Sequence, residues 1–200
     1  MTAIVGLTIA SAGEPWRNVG LRVDDGVSWV GGVRLQFLAD ESRVGVVGWT
    51  LAGSSSAVEQ IDGLATSYDD EVEPTSWTHE MGATSVDHVV VMTSSIERTC
   101  GAIEAATGEP LKRIREAGPI RQGFHRLGPV IAEVVETERI SASTASFWGF
   151  VLVVDDLHDV AGRLGPDVVS LPKPAVQPGR FIASFRESAG LGLPLAIMSA

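Results

Sequence analysis

The run Asp87-His88-Val89-Val90-Val91-Met92-Thr93-Ser94-Ser95-Ile96-Glu97-Arg98-Thr99-Cys100-Gly101-Ala102-Ile103 decides the fold. Its first part is a β-branched stretch that suits a pleated, buried strand. Ile96, Cys100 and Ile103 then recur at helical spacing, and Ser94 or Ser95 offers a side-chain oxygen to the unpaired amides of the first turn. Thr107-Gly108-Glu109-Pro110 supplies the glycine and proline that end a helix. Three further strands are expected, Leu111 to Glu116, Gln122 to Leu127 and Val130 to Val135, separated by the turns at Ala117-Gly118-Pro119 and Gly128-Pro129. The unit reads βαβββ.

The pattern recurs downstream. Gly149 to Val154 reads as a strand, Asp155-Asp156 as a helix cap and Leu157 to Leu164 as a short helix stopped by Gly165. Val168 to Leu171, Phe181 to Arg186 and Leu193 to Met198 are the expected later strands. A fainter third copy opens the chain: strand Val5 to Ala10, a short helix or turn from Glu14 to Val19, then Gly26 to Val30, Val33 to Ala39 and Val44 to Leu51. The fold class expected is α+β, built of repeated βαβββ modules. The expected division is a half-domain at 1–64, a linker at 65–81 and a two-module domain at 82–200, with modules at 82–137 and 145–200.

With 200 residues and 44% hydrophobic content the chain can bury a proper core. Its net charge of −10 repels a phosphate backbone, so no nucleic-acid partner is expected. One cysteine rules out an internal disulfide framework and suits a reducing compartment. Ala10-Ser11-Ala12 imitates a signal-peptidase site, but no basic residue precedes the apolar run, and no stretch approaches a membrane span. A cytoplasmic protein with no membrane partner is the expectation.

Val86-Asp87-His88-Val89-Val90-Val91, Arg121-Gln122-Gly123-Phe124-His125-Arg126-Leu127-Gly128 and Ala132-Glu133-Val134-Val135, with Ala175 to Arg180 and Ile182 to Arg186 in the next module, resemble the vicinal oxygen chelate superfamily. Its members include glyoxalase I, extradiol dioxygenases and bleomycin-resistance proteins. The resemblance covers Gly82 to Ala200 well and Met1 to Ala52 by module pattern alone. It implies that the modules form curved mixed sheets around a cup, two of them closing it, with metal ligands on the first and last strand of each. His88 and Glu133 fill two such positions and would suit Zn, Ni, Mn or Fe. The other module departs from the pattern, since its register places Gly149 opposite His88 and Ile197 opposite Glu133.

From the residues themselves, Glu133 lies among apolar neighbours, where a carboxylate is costly unless it is paired, coordinated or facing a wet cavity. Such a glutamate could also serve as a metal-free general base, and His88 and Glu133 are the expected catalytic pair. Arg113 and Arg115 share one strand face, Arg121 and His125 share another, and Arg180 precedes a third strand. Arg115, Arg121, His125 and Arg180 are therefore the candidates for binding an anionic ligand, with His125 a conceivable third metal donor. The five tryptophans read as core and interface packing, as does Cys100. Two functions remain open: a glyoxalase-like enzyme acting on a carbonyl or carboxylate metabolite, of lyase, isomerase or dioxygenase type, or a bleomycin-resistance-like protein that sequesters a small molecule. The odd module count predicts a homodimer that buries an exposed sheet face.

Overall fold

The computed structural model describes residues 1–39, 42–54, 56–69 and 77–200. Two mixed sheets and three α-helices make an α+β fold. Both βαβββ modules of the C-terminal half form. The first runs β7 (Ala83–Thr93), α2 (Ile96–Thr107), β8 (Leu111–Ala117), β9 (Ile120–Leu127) and β10 (Val130–Thr137). The second runs β11 (Ser146–Val154), α3 (Leu157–Leu164), β12 (Lys173–Pro174), β13 (Phe181–Ser184) and β14 (Leu195–Ser199). In each, the first strand pairs in parallel with the last, β7 with β10 and β11 with β14. The modules meet through antiparallel β7 and β11, giving one eight-stranded sheet in the order β12-β13-β14-β11-β7-β10-β9-β8.

The helices start and stop where their side chains require. Ser95 accepts a hydrogen bond from the Arg98 amide and Asp156 from the Asp159 amide, each satisfying a first-turn donor. Gly108 closes α2 in the left-handed conformation, at a φ of 71°. Ile96, Cys100 and Ile103 point inward on α2, and Leu157 and Val160 do so on α3. One expected strand is shorter than its sequence suggests. Val168 to Leu171 contributes a single bridge, Val169 to Phe185, and the outer strand of that module is instead β12.

The N-terminal sheet corrects the reading of one βαβββ copy. It holds β1 (Ala3–Ala10), β2 (Val27–Val30), β3 (Val33–Leu38), β4 (Gly45–Ala52), β5 (Gln60–Ile61) and β6 (Leu64–Tyr68), with the short helix α1 (Gly13–Asn18), in the order β2-β3-β1-β4-β6-β5. β1 runs parallel to β3, and β4 lies antiparallel to β1 while pairing in parallel with β6. So β4 opens a second, abbreviated unit rather than closing the first. The stretch expected as a linker at 65–81 begins inside β6, and residues 70–76 lie outside the described residues. At its far end, His79 is buried and bonded on both sides, its Nδ1 accepting from the Arg22 amide at 3.1 Å and its Nε2 lying 2.8 Å from the Trp29 carbonyl.

One continuous apolar core joins the sheets. Trp16 of α1 stacks on Phe150 of β11 with ring centroids 5.9 Å apart, and Trp49 of β4 meets the edge of Phe147 at 5.4 Å. Among the described residues, no helix is long and apolar enough to cross a membrane.

Candidate functional site

The eight-stranded sheet curves around a cup, and β-sheet alternation sorts its side chains into two sets. Val89, Val91, Ala132 and Val134 face the helices and join the main core. His88, Val90, Met92, Glu133 and Val135 line a cavity of about 870 Å³. A second space of about 480 Å³ continues from it, and His88, Glu133 and Ile182 border both. The two residues singled out as the catalytic pair thus stand at the waist of one cup.

A bulge sharpens this arrangement. Val151 pairs with His88 but Leu152 pairs with Val86, which leaves Asp87 as an extra residue in β7. Asp87 and His88 consequently both border the cup, although they are adjacent in sequence. The imidazole Nδ1 lies 2.7 Å from Asp87 Oδ2, and Nε2 lies 3.4 Å from Glu133 Oε2. Arg180 NH1 donates to Asp87 Oδ1 at 2.7 Å, and Gln122 Nε2 donates to Glu133 Oε1 at 2.5 Å. All of these side chains are largely shielded, with Asp87, His88 and Glu133 exposed by 12%, 16% and 14%. The hydrogen bond with His88, opposed by burial and reinforced by Arg180, pulls the Asp87 carboxyl down to about 2.

These contacts set the proton inventory. An ionised Asp87 requires a proton on Nδ1, so the variable nitrogen of His88 is Nε2, facing Glu133. A bare nitrogen lone pair against a bare carboxylate oxygen is repulsive. Nε2 and Oε2 face each other across 3.4 Å at the waist, a nitrogen that can donate or accept against a carboxyl oxygen. That separation also exceeds the usual hydrogen-bond length, which leaves the pair easy to part around a ligand.

The other half of the cup presents different chemistry at matching places. Trp148 is the extra residue of a second bulge, between the pairs Phe147 to Val91 and Gly149 to Val90. Asp87-His88 and Trp148-Gly149 stand at the same interval before the helix caps Ser95 and Asp156. Val90 pairs with Glu133, whereas its counterpart Val151 pairs with Ala196. Ala196, rather than the expected Ile197, is therefore the counterpart of Glu133, and Ile197 points into the main core. A Cβ at Gly149 would stand 2.0 Å from the Pro194 carbonyl oxygen, so this position accepts no side chain.

That geometry bears on a resident metal. His88 and Glu133 are two donors, below the three or four protein ligands usual for zinc, and the facing positions supply only Gly149 and Ala196. Among the described residues, no group of three or more His, Cys, Asp or Glu is placed to hold a metal ion. The donor set does not fit the metal centre that the resemblance implies.

The remaining candidates divide by face. Arg115 borders the smaller space, as does Arg113, whose guanidinium lies 4.8 Å from the Phe124 ring centroid. Arg180 reaches the waist through Asp87, with its Nε held by the Ser199 carbonyl at 2.8 Å. His125 and Arg121 lie on the opposite face of β9, the face on which Gly123 abuts Cys100. His125 is fully buried, with Nδ1 3.1 Å from the Glu109 carbonyl, and burial lowers its pKa. Arg121 is bound to Glu97, Glu116 and Glu136. Neither reaches the cup, so both are corrected as ligand-binding residues.

Sequence reasoning passed over Asp87, Gln122 and Trp148. Gln122 shares its strand face with Phe124, two residues on, and becomes legible once that face is known to border the cup. Asp87 and Trp148 do not, because a bulge breaks the alternation that places neighbours on opposite faces. Trp148 also departs from the packing role expected of the tryptophans, since it is 52% exposed at the rim of the larger space.

Compared as a sequence, the chain matches no protein-family model and no curated protein. Compared as a structure, it is similar to a 4-hydroxymandelate synthase from Streptomyces coelicolor, with a TM-score of 0.66 at 14% identity, over 98% of this chain and 92% of that one. It is also similar to methylmalonyl-CoA epimerase from Mycobacterium tuberculosis, with a TM-score of 0.50 at 12% identity, over 59% of this chain and 89% of that one. Both neighbours are vicinal oxygen chelate proteins. At such identities the likeness speaks for architecture alone, and together with the paired modules and the open cup it shows that the chain has the vicinal oxygen chelate fold.

Proposed function

We propose that this protein is an enzyme that moves a proton on a small carbonyl or carboxylate compound without a resident metal. The observation that supports this reading is the line Arg180, Asp87, His88, Glu133 at the waist of the cup, in which each side chain lies within 3.4 Å of the next. Glu133 Oε2 takes a proton from the carbon beside the substrate carbonyl, and the imidazolium of His88 returns one from Nε2 to the carbon or oxygen of the resulting enolate. Asp87 holds the tautomer and orientation of His88 and stabilises its cationic form, while Gln122 fixes the other oxygen of Glu133. The product would be an isomer or epimer, which needs no further reactant.

The test is solvent-deuterium exchange followed by proton NMR on a panel of 2-oxo acids and 2-substituted 3-oxo acids. The expected result is exchange at the carbon beside the carbonyl that survives exhaustive chelation and falls by about 10²-fold or more in Glu133→Gln with folding intact. Unchanged exchange in that variant would refute the role of Glu133. A second reading, retention of a small molecule without reaction, is supported by the apolar wall of Val151, Ala196 and Met198. It would prevail if panel members raised the melting temperature but none exchanged.

A further inference from the structure

We infer that the cup takes a bipartite small molecule, whose anionic head, a carboxylate or phosphate, lies at Arg113, Arg115 and Lys173 and whose apolar body lies against Trp148, Val151 and Ala196. This rests on the cup being a small-molecule site with His88 and Glu133 at its waist, as proposed above. Its two ends differ because the two modules differ. The places filled by Asp87, His88 and Glu133 in one module are filled by Trp148, Gly149 and Ala196 in the other. The larger space is accordingly bordered by the side chains of Val90, Met92, Val135, Trp148 and Val151, a lining suited to a hydrocarbon or ring.

Glu138 and Arg139 also border the larger space, whereas the smaller one gathers three cations. Arg113 and Arg115 on β8 and Lys173 on β12, the two outermost strands of the sheet, border it together. Among the described residues, the side chains of Arg115 and Lys173 make no hydrogen bond or ion pair, and that of Arg113 makes only its contact with Phe124. Elsewhere Arg98, Arg121, Arg163 and Arg180 are each bound to a carboxylate. The acids bordering this space are already engaged, Asp87 by His88 and Arg180, and Glu133 by Gln122 and His88. Three cations thus border one concave surface on which, among the described residues, both acids already have other partners, an arrangement that attracts an anion.

Register gives the scale. Glu133 pairs with Phe124, and Phe124 with Arg113, so the arginine backbone stands two strands from the reacting group, about 10 Å away. An arginine side chain folded inward shortens this to the length of a few bonds. Between the two, the Gln122 Oε1 is buried without a donor. It is placed to accept a hydrogen bond from a hydroxyl or amide of the bound molecule.

The test is calorimetric binding to the intact protein with a matched set: 4-phenylbutyrate, 3-phenylpropyl phosphate and the neutral 4-phenylbutanamide. The expected result is that at least one anion binds about tenfold or more tightly than the amide, and the tighter anion identifies the head as carboxylate or phosphate. Arg113→Gln with Arg115→Gln should bring the affinity of the anions down to that of the amide, and Trp148→Ala should weaken all three. Equal affinity for acid and amide, absence of anion binding at millimolar concentration, or a preference that survives substitution of all three cations would overturn the inference. Deuterium exchange is scored separately. An anion preference without exchange refutes the proton-transfer reading and leaves the bipartite site standing, whereas exchange without preference does the reverse.

Discussion

Replacing Asp87 by Asn would expose how strongly the waist of the cup depends on one carboxylate. In the folded protein that group is held at about 2, against an ordinary value of 3.8. The shift favours the ionised form in the folded state, so it stabilises the protein above the unfolded value and the effect fades as pH falls through the folded one. A difference of nearly two pH units corresponds to roughly 2 kcal/mol, and the side chain is only 12% exposed, so solvent screening removes little of it. Urea unfolding of both proteins should show Asp87→Asn less stable by roughly 2 kcal/mol at about pH 7 and at about pH 5. The gap should narrow below about pH 4 and nearly close by about pH 2. A gap of equal size at neutral pH and at about pH 2.5 would show that the loss is one of packing and would refute the electrostatic account. Nitrogen NMR adds a second readout: with Asp87 present Nδ1 of His88 stays protonated, and with Asn it need not.

Three further outcomes follow from the same geometry. Gly149→Ala drives a methyl into the Pro194 carbonyl and should cost about 3 kcal/mol or more, lowering the melting temperature by roughly 6 to 12 °C, as calorimetry would show. His125, kept neutral chiefly by burial, should titrate below 6.5 by NMR; because the unfolded chain takes up that proton more readily, its contribution to stability falls as pH drops below 6.5, and His125→Gln should leave cup affinity unchanged. Cys100, 2% exposed and with its thiol pushed to about 12, mainly by burial, should react with a thiol reagent only as fast as the protein opens, so labelling in native buffer and in urea would differ by orders of magnitude.

The first C-terminal module was legible because its local signals agree, whereas the second hid its outer strand, β12, behind the strand-like run Val168 to Leu171. The β-branched run before Ser95, the inward set Ile96, Cys100 and Ile103, and Gly108 each specify one element, and the structure adds only their pairing. Glu133 was legible as well, since a carboxylate between Ala132 and Val134 stands out against alternation. What sequence did not carry was partnership. Val44 to Leu51 reads as a strand in any topology, and nothing in it says that β4 turns back along β1. Facing was the second gap. His125 and Phe124 are adjacent, and only the contact of Gly123 with Cys100 decides which of them sees the cup. The third was the bulge, one inserted residue that brings Asp87 to the border of the cup.

The stacking of Trp16 on Phe150 has a consequence for how this chain could be divided. Phe147 and Phe150 belong to the cup-forming half, yet their partners Trp49 and Trp16 belong to the other. A fragment starting near Gly82 would keep every residue of the cup but leave its rear wall as bare aromatic surface facing water, where rings of neighbouring copies would find each other. The amino-terminal sheet therefore covers the cup's back, and expression of the two halves as separate polypeptides should recover a well-behaved cup only when both are made together.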